Sequence, residues 1–328
     1  MRIRTSIAAL ATAGALVAGL TACASEPAAE TPTGPAEVQK VTVAVLAPGS
    51  LQWLHAVAKD QGFYADHNVE IEDIQVQNSG ALVQAVAAGS ANAGIALGDN
   101  VIKAVDEGAP VAITGSLIQK PALRLYGAPG VTSVADLAGA QVTAGAVEGG
   151  TYDLLLYMLQ QEGVDTNGLT PVAIANSRDR VVAMENGQVQ GALLIPPFDT
   201  LAEDSGATML GWLDELWLET PAVVNTDWAA ANPEAAAGFT QGLADAAKFF
   251  ADPANRDAVI ASLVSYTGVD QKAAENAYDF IQPNAIFSPD LSVAEESLVN
   301  IVRYGAAVRG EDVTGFDPKK YLDLSFLG

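Results

Sequence analysis

Short β-branched segments alternate with amphipathic segments along most of this sequence, and this alternation limits the possible folds more than any other feature. Residues 41–47 read VTVAVLA, and the segment that follows places Leu51, Leu54 and Val57 on one helical face. The order then repeats, with strands predicted at 69–76, 93–97 and 111–118 and helices at 80–88 and from about residue 100. Strands joined by helices of this length pair in parallel, which predicts a three-layer α/β/α arrangement.

A second series of the same kind follows a break. Gly127, Pro129 and Gly130 interrupt the pattern, and a capped helical turn at Ser133 and Asp136 restarts it. Strands are then predicted at 141–145, 171–175 and 191–195, with helices from Thr151 and Arg178 and a short returning strand within 217–228. From Asn232 onward the apolar spacing is helical. We therefore predict an α/β fold of two lobes with a helical C-terminal tail, in which residues 41–126 plus 222–328 form lobe 1 and residues 127–221 form lobe 2.

Two stretches of the chain resemble each other at an offset of about 98 positions. Residues 83–99 read VQAVAAGSANAGIALGD, and residues 181–197 read VVAMENGQVQGALLIPP. Each contains a helical run, a glycine (Gly89 or Gly187) and a short apolar strand. Ligands of open α/β sheets bind beyond the carboxyl ends of the strands, so two such corners facing each other predict a cleft between the lobes.

The N-terminus has the pattern of an export signal. Arg2 and Arg4 precede an apolar run of about 14 residues, which is shorter than the roughly 20 residues that a membrane-spanning helix needs. The following Leu-Thr-Ala-Cys resembles the lipobox of bacterial lipoproteins and implies cleavage before Cys23 and lipidation of that residue; an ordinary signal peptide with a chance cysteine is the alternative. We predict a signal peptide at 1–22, a Pro- and Ala-rich tether at 23–40, and a protein held by its lipid on the outer face of the cell membrane.

Composition excludes several kinds of function. The chain has a single Cys, so it cannot form an internal disulfide. Its net charge is −23, and about −25 without Arg2 and Arg4, which argues against nucleic acid as a partner. The two histidines, His55 and His67, are isolated in the sequence. We therefore expect neither a metal site nor a cofactor.

Several segments together resemble one family of transport proteins. They are AVAKDQGFYADHNVEIE (56–72), GALVQAVAAGSANAGIA (80–96), GAPVAI (108–113), TSVADLAGAQVTAG (132–145) and RVVAMENGQVQGALLIPPFDTLAEDSGATMLG (180–211). In order and spacing they are similar to solute-binding lipoproteins of ABC importers, of the nitrate, sulfonate, taurine and thiamine-pyrimidine-precursor type. The resemblance implies the periplasmic-binding-protein type II fold, a small-molecule ligand between the lobes, and a permease with its ATPase as partner. We expect the protein to act as a monomer.

Candidate ligand-binding residues lie in the loops after the predicted strands. Their positions correspond to the ligand loops of the resembling family, and several of them begin helices whose free N–H groups could hold a polar ligand group. In lobe 1 they are Ser50, Gln52, Trp53, Asn78, Ser79, Gly80, Asp99 and Asn100. In lobe 2 they are Glu148, Gly150, Thr151, Tyr152, Phe198 and Asp199. Ordinary helix capping is the alternative role for the residues at helix starts.

The charges of these loops bear on the ligand. The loops contain Asp99, Glu148, Asp153 and Asp199 but no Lys or Arg, so an anionic solute meets repulsion unless Arg124, Arg178 or Arg180 turns inward. Their aromatic side chains can stack on a ring or a cation. We expect Arg178 and Arg180 to form surface pairs with neighbouring acids. The sequence favours a neutral, amine-bearing or heterocyclic ligand such as a pyrimidine, and a sulfonate or nitrate ligand is the alternative.

Two other classes of function compete with transport. Thiamine-pyrimidine synthases share the fold, but their reactive segments contain histidine and cysteine, and no nucleophile elbow or zinc motif occurs here. We expect no enzymatic activity. A sensor or protein-contact lipoprotein would use the same fold without transporting a solute. In the preferred mechanism, segments near 127–130 and 219–223 act as hinges, and the lobes close on the captured solute.

Overall fold

The computed structural model describes residues 37–328. The predicted signal peptide, the predicted lipidation site Cys23 and most of the predicted tether lie outside the described residues. Strand β1 begins at Gln39, two residues before the start that the sequence predicts. Within residues 37–328, no helix is both long and apolar enough to cross a membrane.

Ten strands carry the architecture of the described part. In chain order they are β1 (Gln39–Val45), β2 (Val69–Gln75), β3 (Ala93–Ile95), β4 (Val111–Ile118), β5 (Arg124–Gly127), β6 (Gln141–Thr143), β7 (Thr170–Pro171), β8 (Gly191–Leu194), β9 (Thr208–Trp212) and β10 (Thr220–Asn225). The bounds of β4 agree with those predicted from its β-branched run. Of the predicted strand 171–175 only the first residue pairs, because the following residues leave the sheet toward the cleft described below.

Twelve α-helices pack against these strands in residues 37–328. In chain order they are α1 (Trp53–Gln61), α2 (Phe63–Asp66), α3 (Ser79–Ala87), α4 (Gly98–Asp106), α5 (Gly150–Gln161), α6 (Ser177–Glu185), α7 (Phe198–Asp204), α8 (Thr226–Ala231), α9 (Pro233–Ala251), α10 (Arg256–Thr267), α11 (Gln271–Ile281) and α12 (Glu295–Arg309). The last four form the predicted helical tail. The capped turn predicted at Ser133 and Asp136 is a 3₁₀-helix at Val134–Leu137, with Asp136 accepting from the backbone N–H of Ser133 at 2.9 Å.

The strands form two five-stranded sheets, one in each lobe. Their orders are β2-β1-β3-β10-β4 and β7-β6-β8-β5-β9. The sequence predicts parallel pairing, and β1, β2 and β3 pair in this way. However, β10 is antiparallel to both β3 and β4, and β5 is antiparallel to both β8 and β9. The sheets are therefore mixed, because each lobe receives one strand from the crossover segments rather than from a local strand-helix-strand unit.

The chain crosses between the sheets twice. The first crossover runs from the end of β4 at Ile118 to the start of β5 at Arg124, and the second runs from Trp212 to Thr220. Strand β5 thus belongs to the second sheet, although the sequence assigns part of it to lobe 1. The exact lobe boundaries at residues 127 and 222 stay a prediction.

The C-terminal helices pack on both lobes. In lobe 1, the indole Nε1 of Trp53 donates to the backbone oxygen of Val259 in α10 at 2.9 Å. In lobe 2, Tyr157 of α5 stacks on Tyr304 of α12, with ring centroids 4.2 Å apart. Helix α12 also holds the second crossover, since Asn300 Nδ2 donates to Leu216 O at 2.6 Å. The tail therefore fixes the region in which the two crossovers run.

A buried histidine ties α1 to the first sheet. The Nε2 and Nδ1 atoms of His55 lie 2.9 Å from Asp73 Oδ1 and 2.6 Å from Tyr64 Oη. Lys59 forms a second ion pair with Asp73. Burial alone raises the pKa of Asp73, but the hydrogen bonds and charges of His55 and Lys59 outweigh it and lower that pKa to about 2. The histidine is thus a structural group and not a candidate ligand.

Candidate functional site

A cavity of about 920 Å³ lies between the two lobes at the carboxyl ends of their central strands. Lobe 1 contributes the segment after β1 and one face each of α3 and α4, and lobe 2 contributes segments 145–149 and 173–177. Leu123 and Glu219, one from each crossover, also line the cavity. A cavity of this size and position is typical of a small-molecule site.

The internal repeat places two equivalent corners on opposite walls of this cavity. Asn78 caps α3 by accepting from Ala81 N at 2.9 Å, and Asn176 caps α6 by accepting from Asp179 N at 2.9 Å. Glycines with left-handed φ values of 73° and 70° follow the two helices at Gly89 and Gly187. Two βα corners of the same design therefore face one ligand volume.

A serine at each corner presents a hydroxyl group to the cavity. Ser79 Oγ accepts from Leu97 N at 2.8 Å, and Ser177 Oγ accepts from Ile195 N at 3.1 Å. Both serines are buried and line the cavity. Because each oxygen accepts a backbone N–H, its own hydrogen stays free to donate to a solute.

Asp99 joins the two lobes across the cavity wall. Its Oδ2 atom accepts from Gly150 N at 2.8 Å and from Asn100 Nδ2 at 2.6 Å. A Cβ atom on Gly150 would lie 2.6 Å from Asp99 Cβ, so the approach of the two segments requires glycine. The Oδ1 atom of Asp99 is buried without a hydrogen-bond partner among residues 37–328. Burial raises the pKa of this carboxyl group, although the bond from Gly150 opposes the shift.

Glu219 lies where the two crossovers meet and is fully buried. Its Oε2 atom accepts from Ala122 N at 2.5 Å, and its backbone N donates to Ile118 O at 3.0 Å. Its Oε1 atom has no partner within the described residues. Burial raises the pKa of Glu219 to about 8, against the smaller opposing effects of backbone N–H groups and of Arg180.

Arg180 is the buried cation of the site. Its guanidinium donates to Ile174 O at 3.0 Å, to Leu193 O at 2.7 Å and to Ala175 O at 3.0 Å. Burial lowers the pKa of Arg180 to about 10, while the charge of Glu219 opposes this shift. Three backbone carbonyl groups thus occupy much of its donor capacity. The residue fixes the segment 173–175 against β8.

The structure brings eight of the fourteen candidate residues to the cavity. They are Asn78, Ser79, Gly80, Asp99, Asn100, Glu148, Thr151 and Phe198. The other six lie elsewhere. They are Ser50, Gln52, Trp53, Gly150, Tyr152 and Asp199. Gly150 nevertheless shapes the wall, because its N–H holds Asp99.

The side chains placed elsewhere have partners in the protein interior. Trp53 packs edge-on against Phe250 with ring centroids 5.0 Å apart, which directs it into the core of lobe 1. Asp199 pairs with Arg124. Burial raises the pKa of Asp199, and the charge of Arg124 opposes this effect. Helix-start positions in a strand-helix fold face either the cleft or the core, and the sequence pattern does not distinguish these two directions.

The remaining three displaced residues are also buried. Gln52 Nε2 donates to Ile95 O at 3.4 Å. Ser50 N donates to Pro196 O of lobe 2 at 3.2 Å, while its hydroxyl oxygen is buried without a partner among residues 37–328. Tyr152 is packed into the core of lobe 2 with 9% of its surface exposed. These positions support the walls of the cavity from behind.

The expected distribution of charge needs correction. Arg180 does not form a surface pair, because it is buried and bonded to carbonyl groups. Arg178 lies over the ring of Phe198 at 5.0 Å and donates to Thr267 O at 3.2 Å. Asp153 pairs with Arg309 Nη1 at 2.7 Å, away from the cavity. The cavity lining therefore contains a buried cation, which the loop sequences did not predict.

Sequence reasoning missed several lining residues. Shifting Asn78 and Ser79 by the repeat offset would have identified Asn176 and Ser177. Glu219 is a single acid in the apolar segment WLETPAVV, which is a signal for a buried polar group. Lys103 and Glu107 line the mouth through the exposed face of α4, and nothing in their pattern distinguishes them from ordinary surface charges.

No group of three or more His, Cys, Asp or Glu side chains suited to a metal ion occurs in the part of the chain that the structure describes. His67, for example, is bonded to Asp245 Oδ2 at 2.8 Å in a two-residue contact. The polar groups of the cavity are hydroxyl, amide, carboxyl, guanidinium and ammonium groups. This set suits hydrogen bonding to an organic solute.

Solved structures with the same fold include several transport proteins. The alkanesulfonate-binding protein from Xanthomonas axonopodis pv. citri, bound to MOPS, has a TM-score of 0.67 at 18% identity and covers 89% of this chain and 98% of its own. A ligand-binding component of an ABC-type import system from Staphylococcus aureus has a TM-score of 0.72 at 13% identity, covering 88% and 98%. The periplasmic nitrate-binding protein from Synechocystis has a TM-score of 0.70 at 13% identity, covering 86% and 84%.

These similarities establish the periplasmic-binding-protein fold that the resemblance implies. No curated protein matches the sequence significantly. A family model does match: the one described as NMT1/THI5 like covers residues 55–256, which contain both copies of the repeat and both crossovers. With this match over more than half of its length, the chain belongs to the NMT1/THI5-like family.

Proposed function

We propose that this protein is the extracytoplasmic solute-binding component of an ABC importer. The observation that carries the proposal is the cavity of about 920 Å³, which is lined from both lobes and contains buried polar atoms without protein partners. A cavity of this kind buries most of a small organic molecule. Proteins of the same fold include binders of alkanesulfonate and nitrate and a component of an ABC-type import system.

The preferred solute is neutral, amine-bearing or heterocyclic, as a pyrimidine is. Among the buried charged groups of the cavity, the acids Asp99 and Glu219 outnumber the single cation Arg180, whose donors are largely used by backbone carbonyl groups. Phe198 adds an apolar ring to the lining. The eight candidate residues at the cavity are the proposed ligand contacts.

An oxyanion such as a sulfonate or nitrate is the second candidate. The observation in its favour is that the first turns of α3 and α6 both point into the cavity, and helix N-termini favour anions. The buried carboxyl groups oppose this candidate wherever they are ionised, because an ionised carboxylate repels a charged oxyanion.

Transport follows from closure of the lobes on the solute. We propose that the two crossovers act as hinges and that the closed form docks on a permease, which works with an ATPase. We propose hinges within the crossovers, at 119–123 and 213–219, instead of near 127–130 and 219–223 as the sequence suggested. Lipidation of Cys23 would hold the monomeric protein at the outer face of the membrane, and a Cys23→Ser variant would then appear in the soluble fraction.

The proposal includes the absence of catalysis. The buried His55 is bonded to Asp73 and Tyr64 and is not among the cavity residues, so no imidazole reaches a bound solute. Solute incubated with the protein should therefore be recovered unchanged. A sensor that contacts another protein would keep the cavity but would not need to release the solute to a permease.

Blocking the cavity tests the binding function. Gln84 lies on the cavity side of α3 and is exposed, so Gln84→Trp fills the mouth without disturbing the core. Gln188→Trp is the matched control, because this exposed residue lies outside the lining. Calorimetric titration with pyrimidines, amines, sulfonates and nitrate should show binding of one class by the wild type and the control but not by Gln84→Trp. Equal binding by Gln84→Trp would contradict a solute site in this cavity.

A further inference from the structure

Two carboxyl oxygens in the interlobe cavity are buried and lack partners in the protein. Asp99 and Glu219 each use one oxygen to accept a backbone N–H, from Gly150 at 2.8 Å and from Ala122 at 2.5 Å. The other oxygen of each, Oδ1 of Asp99 and Oε1 of Glu219, has no hydrogen-bond partner among residues 37–328. A buried acceptor without a partner is costly, so each atom is a place where a solute donor would be stabilised.

The two carboxyl groups belong to one part of the cavity. Gly98, which precedes Asp99, donates its N–H to the backbone oxygen of Glu219 at 3.1 Å. A Cβ atom on Gly98 would collide with the backbone oxygen of Leu218, so the helix start and the crossover approach as closely as two chains can. Both side chains line the same cavity. The two carboxyl groups therefore belong to the wall at the inner end of the site, beside the crossovers.

The side chains around this inner end carry a net negative charge when Asp99 and Glu219 are both ionised. Arg180 is the charged side chain that influences Glu219, and it already donates to three backbone carbonyl groups. The groups acting on Asp99 are hydrogen-bond donors without charge, Gly150 N and the amide of Asn100. Lys103, Glu107 and Glu148 also line the cavity, but all three are exposed and screened by water.

We infer that the solute presents a nitrogen group with at least two N–H donors, of the protonated amine or amidine class, to Asp99 Oδ1 and Glu219 Oε1. This inference rests on the proposed solute-binding function and narrows it. An amidinium or a protonated aminoheterocycle places two parallel N–H groups on one edge, so it offers one donor to each acceptor. It also supplies the positive charge that these two acids lack in the protein.

The position of Glu219 links this recognition to closure. Through its side chain Glu219 holds the first crossover at Ala122, and through its backbone it lies on the second. A cation that draws Glu219 Oε1 toward the cavity therefore acts on both proposed hinge segments. Glu219 is in this sense a specificity-determining residue whose contact with solute also biases the hinge.

Four probes of nearly equal shape test the inference: benzamidine, which is cationic, benzamide, which is neutral, and the anions benzoate and benzenesulfonate. Calorimetric titration of the whole protein should show that benzamidine binds most tightly. Glu219→Gln and Asp99→Asn keep the accepting oxygen for Ala122 or Gly150 but remove the charge, and each should weaken benzamidine about tenfold or more. Glu162→Gln removes one charge from an exposed position outside the cavity lining and should change the affinity less than about twofold.

Proton release gives a second readout. Burial raises the pKa of Glu219 to about 8, so a bound cation shifts this carboxyl group toward the ionised form and a proton leaves. The binding enthalpy of benzamidine near neutral pH should then depend on the ionisation enthalpy of the buffer, and Glu219→Gln should reduce this dependence. A purely structural role of Glu219 would leave the dependence unchanged.

The outcomes separate this inference from the function on which it rests. Tighter binding of benzoate or benzenesulfonate than of benzamidine would overturn the nitrogen-donor inference while supporting a solute-binding protein. Equal loss of benzamidine affinity in Glu162→Gln and Glu219→Gln would also overturn it, since the effect would then come from long-range charge. Binding of no probe, and of none of the pyrimidines, amines, sulfonates and nitrate proposed above, would overturn both.

Discussion

The contact between Gly150 and Asp99 allows a quantitative test of how the lobes meet. In Gly150→Ala the new Cβ atom would lie 2.6 Å from Asp99 Cβ and 2.8 Å from its carboxyl carbon. Carbon atoms pack at about 3.5–4.0 Å, so Asp99 must move by roughly 1 Å. That movement stretches the 2.8 Å hydrogen bond from Gly150 N beyond bonding distance.

The expected cost can be worked out from these changes. Overpacking costs about 1–3 kcal/mol, and a lost hydrogen bond to a charged group costs about 1.5–3 kcal/mol. Both costs come from the same displacement of Asp99, so they do not add fully. The higher helix propensity of alanine offsets up to about 1 kcal/mol of the loss in stability. We expect Gly150→Ala to lower the free energy of unfolding by about 2 kcal/mol.

The neighbouring glycine provides the control. A Cβ atom on Gly149 would lie 3.4 Å from Ala146 O and 3.5 Å from Ala146 Cβ, which requires little movement, and its φ of −106° suits alanine. Gly149→Ala should lower the unfolding free energy by about 0.5 kcal/mol, as alanine is a poorer helix N-cap than glycine. Urea unfolding of both variants measures the difference. Equal stability of the two variants would refute the close approach of Asp99 to Gly150.

Three further predictions concern buried charged groups. Asp73→Asn should lower the free energy of unfolding by about 2 kcal/mol at neutral pH. The reason is that the bonds from His55 outweigh burial and lower the pKa of Asp73 from its ordinary value of 3.8 to about 2. In urea unfolding, the difference in stability between the wild type and Asp73→Asn should disappear as the pH falls from about 4 to 2. Burial raises the pKa of Glu219 from 4.5 to about 8, so the stability of the wild type should fall as the pH rises from about 4.5 to 8. In Glu219→Gln the thermal unfolding midpoint should depend less on pH over this range, and an unchanged pH dependence would contradict the raised pKa of Glu219. Arg180→Lys loses the planar fork that reaches three carbonyl groups and should cost about 3 kcal/mol, whereas exposed Arg178→Lys should cost less than about 0.5 kcal/mol in the same chemical unfolding assay.

The sequence predicted the local elements of the fold better than their long-range pairing. Strand β4 and helix α3 followed from β-branched and apolar periodicity, which reports burial directly. Strand β5 was missed because Gly127 and Pro129 mark a turn immediately after it. The antiparallel positions of β5 and β10 are set by chain crossing between lobes, and local periodicity contains no information on such pairing.

The candidate site was predicted best where the repeat constrained it. Asn78 and Ser79 lie at the cavity because they follow the carboxyl end of the parallel strand β2, on the side of the sheet where ligands of this fold class bind. Trp53 follows the equivalent first strand but turns into the core, where Phe250 and Phe287 enclose it. Glu219 was assigned to a hinge and not to the ligand, because its burial and free oxygen depend on three-dimensional packing around the crossovers.

The central claim is that a solute binds between the two lobes. A crystal structure of the protein with its tightest-binding probe tests this claim most directly. We predict electron density for the solute in the interlobe cavity, with nitrogen atoms within hydrogen-bond distance of Asp99 Oδ1 and Glu219 Oε1. Density only at the outer surface, or a solute in the cavity with an oxyanion against the N-termini of α3 and α6 and no contact with either carboxyl group, would contradict it.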